Sequence, residues 1–361
     1  SDGETHQEKG MEHMRKVLFH RCGIELMDDK ARGESEMFGM NIAGLAAEYL
    51  RMNGASLKGL DAHGLVGQAL TRDFTETTYN DTVASWSSLL ADVANKSMAK
   101  GYDEAEETWS RWCATGSLED FKVANRVDLS TYPTPGVVAE NGTFPIATVT
   151  DENETISLST VGSIFSVTRQ ALVNDDLSGL SRIPRSQGRA AARAVGDAVY
   201  AVLTTAQTMG DTNLLFDAAN HNNVIAAAGP DVATVDAIRT AMALQTDATG
   251  TALGIRPAFL ICPVALEGVA TTLRNAQFDP DTAEGSGNTG GNRPNWVAGT
   301  FEVVPEHRLD ADSATDWYMA ASSTIYDTVE VAFLNGVNMP TLESRDGFKI
   351  DGTEMKVRLD F

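Results

Sequence analysis

The sequence predicts an α+β fold, and three observations carry that prediction. Apolar residues early in the chain recur at helical spacing, as in Phe38, Ile42, Leu45, Tyr49 and Leu50. A single long helical pattern then occupies the middle, from Ser181 to about Gln207. The chain closes on strict alternation, with Met355, Val357, Leu359 and Phe361 set against Lys356, Arg358 and Asp360, which is the pattern of a half-buried strand.

Taken in order, the first ten residues, SDGETHQEKG, are polar and predict no stable structure. Residues 11–19 form a short helical candidate, and the Phe38 stripe a second; neither builds a core alone. Residues 83–101 predict a further helix with Trp86, Leu89, Leu90 and Val93 facing inward, and Trp109 and Trp112 read as core anchors. From 126 to 167 the chain reads as extended. Pro133 and Pro135 oppose helix, and Ile156, Leu158 and Val161 alternate with Ser157, Ser159 and Thr160. DENE, from Asp151 to Glu154, reads as the turn between two strands. Strands with mostly polar faces bury little, so a projecting hairpin is expected.

In the long helix Ser181 is the expected cap and Pro184 lies in the expected first turn, where a missing N–H costs nothing. At ~1.5 Å per residue the rod is roughly 40 Å long. Val195, Ala198, Val199, Val202, Leu203 and Ala206 make its buried stripe. Arg182, Arg185, Arg189 and Arg193 stack on another face, with Asp197 one turn on. Residues 213–229 read as loop, 234–244 as a short helix and 259–262 as a buried strand. Pro263 suits the first turn of a helix ending near Asn275, and residues 278–295 are a Gly-rich surface loop. Strands are predicted at 301–305, 317–321 and 328–334, so that 235–321 forms a compact α/β unit.

The 361 residues suffice for about two domains, and 42% hydrophobic content fits a globular chain. Fifty acidic against 28 basic residues leave a net charge of −22, which repels nucleic acid phosphates and anionic membranes over most of the surface. Three widely spaced cysteines, Cys22, Cys113 and Cys262, indicate no disulfide framework and fit a reducing compartment. The sequons at Asn80, Asn95, Asn141 and Asn153 read as chance matches. No apolar run reaches the ~18 residues a membrane helix needs.

IFSVTRQALVNDDL and the following IPRSQGRAAARAVGDAVYAVL closely resemble tailed-phage major capsid proteins of the Mu-like prophage major head subunit class. The similarity runs in order through LLADVANKSM, GIRPAFLICPVALE, FEVVPEHRLD and TLESRDGFKIDGTEMKVRLDF. It implies the Hong Kong ninety-seven phage capsid fold. On that reading 1–80 is an N-terminal arm lying on neighbouring subunits, 81–125 the first part of the P-domain and 126–162 the extended E-loop hairpin. Residues 163–215 would be the P-domain spine helix, 216–321 the A-domain and 322–361 the C-terminal P-domain strands. The resemblance implies a non-enzymatic subunit without cofactor that assembles with itself into hexamers, pentamers and an icosahedral shell. Implied partners are packaged DNA through weak interior contact, portal, scaffold or maturation protease, and cement proteins, with no membrane. The implied location is the virion capsid, assembled in the bacterial host cytoplasm. Ser1 is compatible with removal of an upstream protease and scaffold region, and the chain ends where related sequences usually continue.

Arg182, Arg185, Arg189 and Arg193 are therefore candidates for docking acidic neighbours, and Asp151, Glu152 and Glu154 are candidate inter-subunit contacts on the hairpin; a solvated basic face is the plainer alternative. GSGNTG at 285–290 follows no strand and opens no helix, and no Gly-Lys pair occurs, so neither a dinucleotide site nor a phosphate loop is expected. His6, His13 and His20 with Cys22 lack the rigidity of a metal site. Asp279, Asp281 and Glu284 lack the spacing of a calcium loop. His63, His221 and His307 lack a nucleophile motif. Two other functions remain as alternatives: a cargo-enclosing nanocompartment shell of the same fold, and a soluble α/β hydrolase using His221 or His307.

Some shells of the resembled fold are locked by isopeptide bonds from a hairpin lysine. Between Lys122 and Lys349 this chain has no lysine, and arginine stays protonated and is a poor nucleophile. Mature shells are expected to be held without covalent links. Boiled in detergent and run on a gel, they should give one band near 38.6 kDa; a ladder of cross-linked rings would contradict this.

Overall fold

A computed structural model describes residues 6–28, 32–33, 35–71, 86–129, 151–174, 178–225, 228–246, 250–280, 293–326, 328–346 and 352–361. Four helices come first: α1 (His6–Arg21), α2 (Ile42–Met52), α3 (Ala62–Thr71) and α4 (Trp86–Asp103). Strands β1 (Ala114–Leu118), β2 (Ala124–Leu129), β3 (Asp151–Ile156) and β4 (Thr160–Thr168) follow. Next are α5 (Arg169–Val173), α6 (Ser178–Thr204) and α7 (Val232–Ala243), then β5 (Pro257–Cys262) and α8 (Val264–Asn275). The chain ends with β6 (Glu302–Pro305), α9 (His307–Asp312), β7 (Tyr318–Ala321), β8 (Glu330–Leu334), β9 (Thr341–Asp346) and β10 (Gly352–Asp360). Helix and strand are segregated enough to make the class α+β.

The chain divides into two units. The first comprises Ser1–Glu106, Thr160–Ala194 and Asn338–Asp360. Its core is one apolar cluster drawing Met14 and Leu18 from α1, Ile42, Leu45, Tyr49 and Leu50 from α2, and Trp86, Leu90 and Val93 from α4. Val167 of β4 and Met355 of β10 join the same cluster. Burying each such side chain stabilises by roughly 1.5–3 kcal/mol. Asn41 starts α2 by accepting the Gly44 N–H at 2.7 Å. Within the chain, the helical stripes find their apolar partners in their own unit. The helix at the start also reaches back to His6, into a stretch expected to lack structure.

The sheet of this unit has the order β4-β10-β9, antiparallel throughout. Thr353, Met355, Val357 and Leu359 are buried in β10, as the alternation requires. Helix α6 begins at Ser178, so Ser181 is inside it and not its cap. Pro184 accordingly lies past the first turn, where it removes one i→i−4 hydrogen bond. Gly188 is buried where α6 meets α4: a Cβ there would strike the Met98 carbonyl, and one on Gly101 would strike the Arg185 carbonyl. The two backbones touch without side chains between them.

The second unit comprises Glu107–Ser159, Val195–Val337 and Phe361. Its three-stranded sheet runs β6-β5-β7, with β5 parallel to β6 and antiparallel to β7. Val235, Leu260, Cys262, Ala270, Leu273, Val297 and Phe301 form a core beneath it. Asp231 and Thr234 make a capping box at the start of α7, and Pro263 is the N-cap of α8 rather than its first turn. Two strand pairs complete the unit, β1 with β8 in parallel and β2 with β3 antiparallel. DENE is therefore strand, not turn, because Asp151–Ile156 pairs with Ala124–Leu129. The stretch read as one strand through Ile156 and Val161 is broken at 157–159. There Leu158 turns into a small apolar cluster with Leu118 and Ala332. The hairpin's end, at 130–150, and the glycine run at 281–292 lie outside the described residues. The latter segment's two ends are tied together. Phe278 bridges Pro294, and buried Asn295 donates from Nδ2 to the Leu273 and Ala276 carbonyls at 2.6 and 3.0 Å.

Residues 205–223 fold on their own polar side chains. His221 places Nε2 2.9 Å from Asp211 Oδ2 and Nδ1 3.2 Å from the Leu215 carbonyl. Both partners are acceptors, so the ring serves them best as an imidazolium, and the Asp211 bond raises its pKa. Hydrogen bonds from Asn213 and from His221 hold the Asp211 carboxyl down to about 2.

Two predictions follow from these contacts. Gly188→Val should overpack the α4–α6 contact and lower stability by about 1–3 kcal/mol, read as a reduced urea midpoint against an exposed control such as Ser186→Ala. The His221 contribution is complete below the unfolded imidazole's pKa of about 6.5 and is lost as pH rises through its raised folded value. That of Asp211 is complete above about pH 4 and is lost only as pH falls through about 2. Amide exchange, corrected for its intrinsic pH dependence, should therefore quicken around Met209–Leu215 as pH rises from 6 to 9 and stay level from 6 to 4.5. His221→Ala should remove the difference.

Candidate functional site

Helix α6 carries two surfaces because its small and apolar residues and its arginines fall on different sides. Ala192, Val195, Val199, Tyr200 and Leu203 are buried, as is Gly188. Arg182, Arg189 and Arg193 are exposed, and Arg185 is half-buried. The four predicted arginines thus share one face, spaced three and four residues apart. They are not equivalent. Arg185 Nε donates to Glu104 Oε2 at 2.7 Å and its Nη2 donates to Oε1, a bidentate pair within the first unit. The hydrogen bond to Glu104 raises the Arg185 pKa and lowers that of Glu104. Arg182 and Arg189 make no hydrogen bond or ion pair among the described residues.

Asp197, one turn beyond Arg193, is taken up elsewhere. Its Oδ1 accepts from Arg308 Nε at 2.6 Å. Arg308 is only 13% exposed and also meets Glu107 at 3.1 Å and Glu306 at 3.2 Å, with the Tyr200 ring beneath its guanidinium. Burial disfavours the Arg308 charge, yet the Asp197 and Glu107 carboxylates outweigh it and raise its pKa. Glu306 is 2% exposed and also accepts from the Thr108 hydroxyl, which in turn contacts Tyr200 Oη at 2.6 Å. These partners lie up to 201 residues apart, so no local spacing announces them.

On the hairpin, Glu154 is exposed and accepts the Gly210 N–H at 2.8 Å. Its cross-strand neighbour Arg126 turns instead to Glu330, with 2.7 and 2.6 Å bonds. Asp151 and Glu152 pair through their backbones with Leu129 and Asp128, and their side chains lie outside what the structure describes. The base of the hairpin is therefore fastened by its own unit. The arginines share one helix face, and Glu154, the one acidic hairpin residue whose side chain is described, is taken up by the Gly210 N–H.

Other chemistry finds little support. His221 spends both ring nitrogens on Asp211 and the Leu215 carbonyl, which leaves neither for a nucleophile. His307 places Nδ1 2.8 Å from Glu306 and is three-quarters exposed. Cys113 and Cys262 are buried, and burial pushes both thiols up to about 12. Among the described residues no group of three His, Cys, Asp or Glu side chains is gathered to hold a metal ion, and no helix is long and apolar enough to cross a membrane.

Comparison with curated protein sequences finds no match. Among solved structures the chain is similar to a protein of Mycobacterium phage Cain, at 16% identity over 71% of this chain and 83% of that one, with a TM-score of 0.44. It is similar to the bacteriophage JBD30 capsid at 14% identity, 58% and 94% coverage and a TM-score of 0.44. The capsid of Ralstonia phage GP4 matches at 9% identity, 72% and 86% coverage and a TM-score of 0.47. These superpositions are partial, and family membership rests on sequence. The profile of the phage capsid protein family matches residues 152–361, which is more than half the chain and takes in β3, the arginine helix and every later element: the chain belongs to the phage capsid protein family.

Proposed function

We propose that this protein is the major shell subunit of a tailed-phage head and performs its role by assembly, without catalysis. The observation that carries this reading is the capsid-family profile over residues 152–361. In the Hong Kong ninety-seven arrangement, α4, α6 and the β4-β10-β9 sheet would serve as the peripheral domain, and the β6-β5-β7 sheet with α7 and α8 as the axial domain. The β2–β3 pair would be the root of the extended hairpin. Hexamers and pentamers would close into an icosahedral shell around DNA. Portal, scaffold or protease, and cement proteins would be its further partners, and the host cytoplasm its place of assembly.

Surface chemistry supports a role in association. β4 and β9 are edge strands of their sheet, and β4 exposes Ile164 and Val161 beside its unpaired backbone groups, which suits strand addition by a neighbour. Phe121 and Val123 are exposed together just before β2. A subunit of net charge −22 repels its own copies, and the Debye length of about 8 Å at physiological salt leaves that repulsion active at contact distance. An exposed arginine face offers the opposite sign. One exposed pair is worth only ~0.2–1 kcal/mol, but each shell repeats it in every subunit.

Purified protein should form megadalton hollow particles by light scattering and electron microscopy. A compact species of 38.6 kDa under all assembly conditions would refute the reading. Arg189→Glu should leave thermal unfolding unchanged and raise the concentration needed for assembly several-fold.

A further inference from the structure

A cavity of about 360 Å³ in the first unit is lined by Arg21, Ser97, Lys100, Ser181, Arg182 and Arg185, beside the C-terminal turn of α1. Four cations around one cavity are unusual in a chain with 50 acidic and 28 basic residues. Some of their hydrogen-bonding capacity is used. Arg21 Nη1 donates to the Met40 carbonyl at 2.6 Å, Lys100 Nζ to the Gly23 carbonyl at 2.8 Å, and Arg185 pairs with Glu104. Carbonyls satisfy donors without cancelling charge; Glu104 offsets Arg185, and Arg182 makes no ion pair among the described residues. Glu25, also close in sequence to the lining residues, is committed to Lys96 at 2.7 Å. Arg182 and the Lys100 ammonium, which is bonded to a carbonyl, therefore leave positive charge on the cavity wall.

A second observation points to a ligand. Ser97 is 2% exposed, and its Oγ has no hydrogen-bond partner. A buried hydroxyl without a partner costs about 1–3 kcal/mol, and this one lies in the wall of a cavity whose charged groups are all cationic. A group that accepts from a hydroxyl, a guanidinium and an ammonium together is an oxyanion. Depth selects its source. A donor this buried is reached by a slender side chain, whereas the phosphates of a duplex are carried on a backbone too broad to enter.

We propose that this basic cavity receives an Asp or Glu carboxylate from a second copy of the chain. The inference rests on the shell reading above and names one contact within it. A second copy is the fitting partner because its 50 acidic residues outnumber its 28 basic ones. Arg182, exposed and without a partner among the described residues, would meet the incoming carboxylate first, and Lys100 and Ser97 would hold it.

The test uses shells assembled from an equal mixture of unlabelled and nitrogen-15-labelled protein, treated with a zero-length carbodiimide that joins amines to adjacent carboxylates. Mass spectrometry then reads which peptides are linked to Lys100. The expected result is Lys100 joined to an Asp or Glu peptide of mixed isotope label, beside a same-label product with Glu104 one turn away. Arg182→Glu, tested at a concentration where it still assembles or in whatever oligomers it forms, should cut the mixed product several-fold while thermal unfolding stays unchanged. Assembled shells in which Lys100 links only within single copies would overturn the inference and leave the shell reading intact. So would a Lys100 that gives no cross-link and is shielded only when duplex DNA is added. Protein that forms no shell overturns both.

Discussion

Much of this protein depends on one helix being able to present unlike surfaces over 27 residues. On one side α6 offers Gly188, Ala192, Val195, Val199 and Tyr200, small enough at one end for backbone to touch backbone and apolar enough at the other to enter a core. On another side it offers arginines a turn apart. Exchanging either set would be ruinous for different reasons. A side chain at Gly188 has no space, and an arginine in the Val195 position would be a buried charge without a partner. The helix is thereby both scaffold and display. Its apolar side holds the arginines in register, since side chains on one helix face keep their spacing only while the helix itself is held.

Charge is the second constraint. With 22 more acids than bases, few cations stand opposite many carboxylates, and several of those cations are committed within a unit. Arg308 faces three carboxylates, Arg126 is bound by Glu330, and Arg185 by Glu104. Removing the Arg308 side chain would leave Glu306 buried beside Glu107 with the Thr108 hydroxyl, the backbone N–H of residue 308 and exposed His307 to compensate, and a buried charge without its partner is far more costly than a surface pair is favourable. After this internal pairing the chain keeps its excess of acid, while Arg182 and Arg189 on the helix face make no ion pair among the described residues. Such a distribution is self-complementary. It discourages random aggregation through net repulsion and favours the few mutual orientations in which unlike patches meet.

Recurrent local patterns were legible without any structure, because periodicity reports which face of an element is buried. The Ile42 stripe, the Trp86 stripe, the 259–262 strand and the alternation ending at Leu359 each place the same side chains inward in the folded chain. Net charge, the absence of lysine between 122 and 349, the arginine face and the family resemblance are likewise properties of the sequence. Element ends were less legible. Ser181 and Pro184 read as a helix start, yet α6 begins at Ser178 and carries Pro184 within it. DENE read as a turn from composition alone, and became strand because Ala124–Leu129 is available to pair with it.

Tertiary structure alone decided which distant groups meet. The N-terminal helices looked unable to bury their stripes because their partners, Val167 and Met355, stand far along the chain, and only folding brings them into one cluster. The same holds for the Arg308 cluster, for the Arg126–Glu330 pair that fastens the hairpin, and for the cavity where Arg21, Lys100 and Arg182 surround a hydroxyl without a partner. The physical reason is common to all of them. Backbone periodicity fixes a side chain's direction within its own element, whereas Coulomb attraction, hydrogen bonding and desolvation act across space, between residues whose separation in sequence carries no trace of their contact.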